Sequence, residues 1–240
     1  MEIKNILKEI RQELKELAKN PNNVKDYSRF HKDGKKHISL TSAVTRKLYS
    51  EKFNQIKHLD KKQILGLCEK LLEYKDDSCR GMAFDWAFRI RKQYTKEDFV
   101  IFEKWLDKYV DTWGSCDDLC THAFGNHLLM FPEIISKIHL WTKSKNKWKR
   151  RASAVVFIYS ARQNKYLNDD LKIAESLLSD EEDLVQKAYG WLLKEASNSN
   201  QKKIFDFVMK HKSDMSRTAL RYAIEKMPAG LKKQAMAKDL

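Results

Sequence analysis

Four stretches of the chain align one beneath another: "CRGMAFDWAF" (79–88), "WGSCDDLCTH" (113–122), "WKRRASAVVF" (148–157) and "LVQKAYGWLL" (184–193). Their starts lie 34, 35 and 36 residues apart, and their fifth positions are Ala83, Asp117, Ala152 and Ala188. A small residue recurring near the start of one helix in each unit lets neighbouring helices approach closely. A period of this length is that of a helix-pair repeat, in which each pair buries its apolar face only against its neighbours.

Outside the repeats the same helical signal continues. Residues 2–20 carry Ile3, Ile6, Leu7, Ile10, Leu14 and Leu17, spaced three and four apart, which is the period of an amphipathic helix. That spacing recurs near 42–52, 61–74, 78–94, 96–110, 115–129, 131–143, 147–162, 168–178, 182–197, 200–211 and 216–227. The polar segment "PNNVKDYSRFHKDGKKH" (21–37) is loop-rich, with a short helix expected around Val24–Phe30. Strand-like alternation is not sustained anywhere, and 7 Gly and 3 Pro are too few for the many tight turns of an all-β or α/β chain. The expected fold class is all-α: one domain over 1–240, an α-solenoid of HEAT-like helix pairs forming an α-α superhelix. Residues 1–75 supply N-terminal helices, and 76–230 form the repeat core that carries the site. One helix of each pair would line a concave face.

The chain carries 47 Lys and Arg against 33 Asp and Glu, a formal charge of +14. An excess of this size in a globular composition points to a polyanionic partner, nucleic acid first. A membrane surface fits less well, because no strongly apolar helix accompanies the charge. The longest apolar run, Ala154–Tyr159, is far too short to span a bilayer. The charged N-terminus "MEIKNILKEIRQELKELAKN" has no apolar core of a signal peptide. The four cysteines, Cys68, Cys79, Cys116 and Cys120, are therefore expected as reduced thiols in a cytoplasmic protein, nucleoid-associated in a prokaryote.

Within the repeat column Asp117 stands out. Acids near a helix start commonly cap it or oppose its dipole, but a capping role would place acids at the equivalent position of the other units, where alanine stands. Asp118 suits the capping role better. The run "KSKNKWKRR" (143–151) holds six basic residues in nine, crossing a turn into a helix. With Lys187, Lys194, Lys202 and Lys203 it reads as a phosphate-binding ridge, or as a solvated basic loop. Of the six tryptophans, Trp105 and Trp141 read as core and Trp148 as partly core. Trp113 and Trp191 lie near the helix that carries the column, where an indole can stack on a base or attract a cation. The spacing Cys116, Cys120, His122, His127 is not that of a structural zinc site, so no metal is expected. No Gly-rich phosphate loop or nucleophile elbow occurs, and no cofactor is expected.

The segments "TWGSCD" (112–117), "NKWKRRA" (146–152) and "VQKAYGWLLKE" (185–195), in this order and spacing, resemble the DNA alkylation repair proteins of the AlkD type, which are HEAT-like DNA glycosylases. The resemblance covers roughly residues 78–230 and is weak over the first 75, where "HISLTSAVTRKL" (37–48) matches only loosely. It implies a monofunctional glycosylase that excises cationic alkylated purines from double-stranded DNA, acting as a monomer. It implies further that Asp117 is the catalytic carboxylate, that Trp113 and Trp191 flank the damaged nucleotide, and that Arg151 contacts the DNA backbone near the lesion. Lys194 falls where the family has a further basic residue. Arg150, Lys149, Lys147 and Lys187 complete the expected DNA-binding set. One departure is Gly114, where an acidic or polar residue is expected. A non-catalytic HEAT-like nucleic-acid-binding module, or a protein-interaction scaffold, is the alternative.

Overall fold

The structure, a computed structural model, describes residues 3–28, 36 and 38–237. Among the described residues it is all-α apart from one two-stranded ribbon. The chain divides into two compact units, residues 1–93 and 94–240.

The first unit begins with α1 (Ile3–Lys19), followed by a single 3₁₀ turn (Pro21–Asn23) and strand β1 (Val24–Asp26). β1 pairs antiparallel with β2 (Ile38–Leu40), Lys25 opposite Ser39. The helix expected around Val24–Phe30 is thus a strand over 24–26, while Phe30 lies outside the described residues. Asn20 ends the preceding helix and caps the 3₁₀ turn by accepting from the Asn22 amide at 2.9 Å, and Val24 is the β-branched residue that follows. Helices α2 (Ser42–Ile56), α3 (Lys61–Leu72) and α4 (Asp77–Arg89) complete the unit, with a 3₁₀ turn at Arg91–Gln93. Ile6, Leu7, Ile10 and Leu14 are buried as their spacing predicts. The Trp86 indole, fully buried, donates to the Tyr49 carbonyl at 3.1 Å. Lys52 is buried beside Glu13, at 2.7 Å.

The second unit holds α5 (Asp98–Tyr109), α6 (Trp113–Leu119), a π-helical turn (Cys120–Phe124), α7 (Gly125–Met130), a 3₁₀ turn (Pro132–Ile134) and α8 (Ile135–Trp141). It continues with α9 (Lys147–Val155), α10 (Ile158–Ala161), α11 (Leu167–Ser176), α12 (Asp183–His211), α13 (Arg217–Ala223) and α14 (Ala229–Met236). Helix α6 packs on α9, α9 on α12 and α12 on α13, so successive units stack along this row. Helices α5, α8 and α11 pack on α9 from outside the row. Trp105 and Trp141 are buried, and Trp141 stacks on Phe99 at 6.0 Å and meets Phe124 edge-on at 5.3 Å.

All four repeat stretches open helices, α4, α6, α9 and α12. Ala83, Ala152 and Ala188 are fully buried in the expected column. The helices approach closely at Gly190, where a Cβ would lie 2.8 Å from the Ala219 carbonyl oxygen and the Tyr222 Cβ. Several expected helices differ in detail. Residues 115–129 are interrupted by the π turn, 147–162 divides after Val155, and 182–197 runs into 200–211 across a kink at Asn200 (φ −133°, ψ 42°). Helix α14 ("AGLKKQAM") is not among the expected helices, and of its residues only Ala235 is buried.

The period also governs polar contacts. Arg151 reaches Asp117 across 34 positions, Arg162 reaches Glu195 across 33, Lys147 reaches Glu182 across 35 and Lys194 reaches Glu225 across 31. Partners one repeat apart in sequence are neighbours in space because consecutive units stack.

Candidate functional site

Helix α6 starts at a capping box. The Thr112 hydroxyl accepts from the Ser115 amide at 3.2 Å, and the Ser115 hydroxyl faces the Thr112 amide at 3.2 Å. These two residues satisfy the exposed N–H groups of the first turn, so neither Asp117 nor Asp118 is the cap. Asp118 instead faces His122, with its carboxylate 3.1 Å from Nδ1. Gly114 sits in this first turn with open space around it; a Cβ there would meet only the Thr112 hydroxyl at 4.0 Å. The departure from the expected polar residue therefore relieves no steric conflict.

Trp113 and Asp117 are four residues apart on α6 and share a face. Trp113 is half-buried. Asp117, 19% exposed at its side chain, takes both prongs of the Arg151 guanidinium: Nε donates to Oδ1 at 2.9 Å and Nη2 to Oδ2 at 2.8 Å. The Arg151 Nη1 donates to the carbonyl oxygen of Leu184. Arg151, on α9 and only 6% exposed, thereby ties α6 to the first turn of α12. Burial lifts the Asp117 carboxyl above its ordinary value; the Arg151 charge and hydrogen bonds pull against that lift, and Asp118 adds to it. Two features stiffen the surroundings. Thr121 donates its hydroxyl to the Asp117 carbonyl at 2.8 Å, and the π turn follows at once. Such bulges are frequent where a helix is re-aimed at a functional site. Gly125 permits the turn: a Cβ there would lie 2.7 Å from the Cys120 carbonyl oxygen.

Trp191, half-buried on α12, lies in a separate cluster. Its indole N–H donates to Glu195 at 3.1 Å, and the Arg162 guanidinium carbon is 6.0 Å from its ring centroid. Glu195 is not among the site residues expected from the sequence. Its four-residue spacing from Trp191 was the available signal.

The six residues of the expected DNA-binding set, Lys147, Lys149, Arg150, Arg151, Lys187 and Lys194, each have a carboxylate partner within 3.4 Å. Lys149 lies between Asp107 (2.9 Å) and Glu103 (3.1 Å) of α5, against the Trp141 ring. Arg150 pairs with Asp180, Lys147 with Glu182, Lys187 with Asp183 and Lys194 with Glu225. Lys149, Arg150 and Lys194 are largely covered, while Lys147 and Lys187 keep more of their side chains in solvent.

Cys68, Cys79, Cys116 and Cys120 are buried free thiols, and burial with Asp76 pushes Cys79 up to about 12. Among the described residues no group of three His, Cys, Asp or Glu side chains could hold a metal ion, and no helix is long and apolar enough to cross a membrane.

A family model described as "DNA alkylation repair enzyme" matches residues 10–227. The match includes the N-terminal region where the motif resemblance is weak. Among solved structures the chain is similar to a predicted DNA alkylation repair enzyme from Enterococcus faecalis, with 19% identity, a TM-score of 0.64, and 78% of this chain and 84% of that one covered. It is also similar to AlkD2 from Streptococcus mutans, with 18% identity, a TM-score of 0.59, and 92% and 100% covered. At these identities the structural likeness shows the fold. No curated protein matches the chain.

Proposed function

The chain belongs to the DNA alkylation repair enzyme family, and on that premise we propose that it is a monofunctional DNA glycosylase. It hydrolyses the N-glycosidic bond of cationic alkylated purines, the N3-methyladenine and N7-methylguanine class, in double-stranded DNA. The observation that carries this reading is Asp117, a partly exposed carboxylate at the column position where three sister units bury alanine. Helix packing alone gives no reason to place a charge there.

The chemistry follows from the substrate. An alkylated purine that already bears a positive charge is a good leaving group and needs no general acid. As the base departs, positive charge builds on the sugar, and a fixed carboxylate near C1′ stabilises it. Asp117 does this only when ionised, and the Arg151 fork favours ionisation against the desolvation that opposes it. Trp113, on the same face of α6, and Trp191, on α12, offer indole faces to the cationic base. Lys147 and Lys187, whose ion pairs are the more exposed, exchange their carboxylate partners for DNA phosphates at least cost.

One observation favours a second reading, a non-catalytic nucleic-acid-binding module. Both oxygens of Asp117 are engaged by Arg151, as a structural ion pair would be. The two readings separate when wild type and Asp117→Asn are incubated with duplex DNA containing N7-methylguanine and the free base is measured. The glycosylase reading expects release by the wild type, slowed roughly 10²–10³-fold in the variant, the range for losing one electrostatic stabiliser of the transition state. Equal release by both would remove Asp117 from catalysis. No release by either, with affinity falling steeply as salt rises, would establish the binding module.

A further inference from the structure

The Glu195 carboxylate is almost fully buried, 8% exposed at its side chain. Its Oε1 accepts the Trp191 indole N–H at 3.1 Å. Its Oε2 accepts from Arg162 Nε and Lys226 Nζ, each at 3.2 Å, and lies 3.4 Å from the Asn198 amide nitrogen. These donors come from three separate segments: the end of α10, the residues after α13, and α12 itself. Burial alone would raise the Glu195 carboxyl, but the bonds from Arg162, Trp191 and Lys226 hold it below its ordinary value. The group is therefore ionised at neutral pH.

A buried charge is costly, and an apolar residue of similar volume generally packs as well or better. A carboxylate here needs a further reason, and the indole supplies it. A tryptophan has two side-chain torsions and a single N–H donor. Anchoring that donor on a fixed acceptor sets the plane of the ring, which packing alone leaves to neighbouring side chains on a half-exposed surface. Arg162 and Lys226 hold the acceptor itself from two sides. The Glu195 charge also offsets that of Arg162, whose guanidinium carbon lies 6.0 Å from the ring centroid, which lowers the repulsion that a cationic base would meet on approach.

We propose that Glu195 is the positioning residue of Trp191: clamped between Arg162 and Lys226, its carboxylate takes the indole N–H and fixes the ring in the orientation that receives the damaged base. The second half of this statement rests on the glycosylase reading; the first does not.

The two halves have separate readouts. In a ¹H–¹⁵N correlation spectrum of the full-length protein the Trp191 indole signal is identified by its loss in Trp191→Phe. Glu195→Ala is expected to move that signal upfield and speed its exchange with solvent. Glu195→Gln, which keeps an oxygen acceptor, is expected to leave it near the wild-type position. Single-turnover excision of N7-methylguanine is expected to slow about tenfold or more in Glu195→Ala, the scale for misplacing a group at the reacting centre. DNA affinity should stay within about twofold, and Glu195→Gln should recover most of the rate. An unmoved indole signal in a folded Glu195→Ala overturns the positioning role. A wild-type excision rate in that variant overturns the second half, that this orientation receives the damaged base. If the wild type releases no base, the glycosylase reading and the catalytic half fall together, and the indole signal alone decides whether Glu195 orients Trp191.

Discussion

Replacing Arg151 by methionine keeps the length and apolar stem of the side chain and removes its fork. Three hydrogen bonds go, two to the Asp117 carboxylate at 2.9 and 2.8 Å and one to the Leu184 carbonyl. The carboxylate stays where it is, largely covered, with no counter-charge and with Asp118 still pushing against it. Breaking one side of a buried ion pair in this way costs about 3–5 kcal/mol, which at a slope of ~2–3 kcal/mol per molar urea moves the unfolding midpoint down by ~1–2 M. The loss is pH-dependent, and its sign follows from Asp117. Burial already raises its folded pKa, and without Arg151 the pKa rises further. A raised carboxyl contributes stability in its protonated form, fully below the unfolded value, and that contribution is lost as pH rises through the folded value. Arg151→Met is therefore expected to lie closest to wild type near pH 5 and furthest from it near pH 8. The double variant Arg151→Met/Asp117→Asn should regain most of the difference at pH 8, because a neutral amide needs no counter-ion. Urea unfolding of the variants and wild type, followed by far-ultraviolet circular dichroism at both pH values, measures all of this. A midpoint for Arg151→Met equal to wild type at pH 8, or no recovery in the double variant, would refute the view that Arg151 offsets a buried negative charge.

Two further perturbations test the framework around the site. Burial, reinforced by Asp169, pushes the Asp170 carboxyl up to about 8, and its Oδ1 has no hydrogen-bond partner. Protonated Asp170 stabilises the fold at low pH and that contribution drains away from about pH 4 to 8, at up to about 1.4 kcal/mol per pH unit. Asp170→Asn should thus gain stability on wild type across that window in paired thermal melts, and a pH-independent difference would contradict the assignment. Gly190→Ala places a Cβ 2.8 Å from the Ala219 carbonyl oxygen and Tyr222 Cβ, where backbone cannot yield cheaply. A loss of about 1–3 kcal/mol is expected from urea unfolding, against no loss for Gly114→Ala, whose Cβ meets only a hydroxyl at 4.0 Å.

Helices were legible because their determinants are local. Apolar residues three and four apart mark one face, and the Asp76, Thr112 and Asn146 side chains cap α4, α6 and α9 within three residues of themselves. The elements that escaped are those whose local signal is weak. β1 and β2 are three residues each, too short to show alternation. The π turn after Cys120 depends on Gly125 fitting against Tyr159 and Val156 more than 30 positions away.

The sequence by itself determined the stacking period and, within it, the one column position where an acid replaces alanine. Both are repeating patterns along a single chain, and a repeat reveals its exceptions without any coordinates. Only the tertiary structure decided what that acid meets. The fork from Arg151, the anchoring of Trp191 through Glu195 to Arg162 and Lys226, and the carboxylate partners of Lys149 and Lys194 all join residues about thirty or more positions apart. Such pairs form when one helix docks on the next at a particular angle and rise. Charge, reach and burial then select the partner from several candidates that lie at equal distance along the chain.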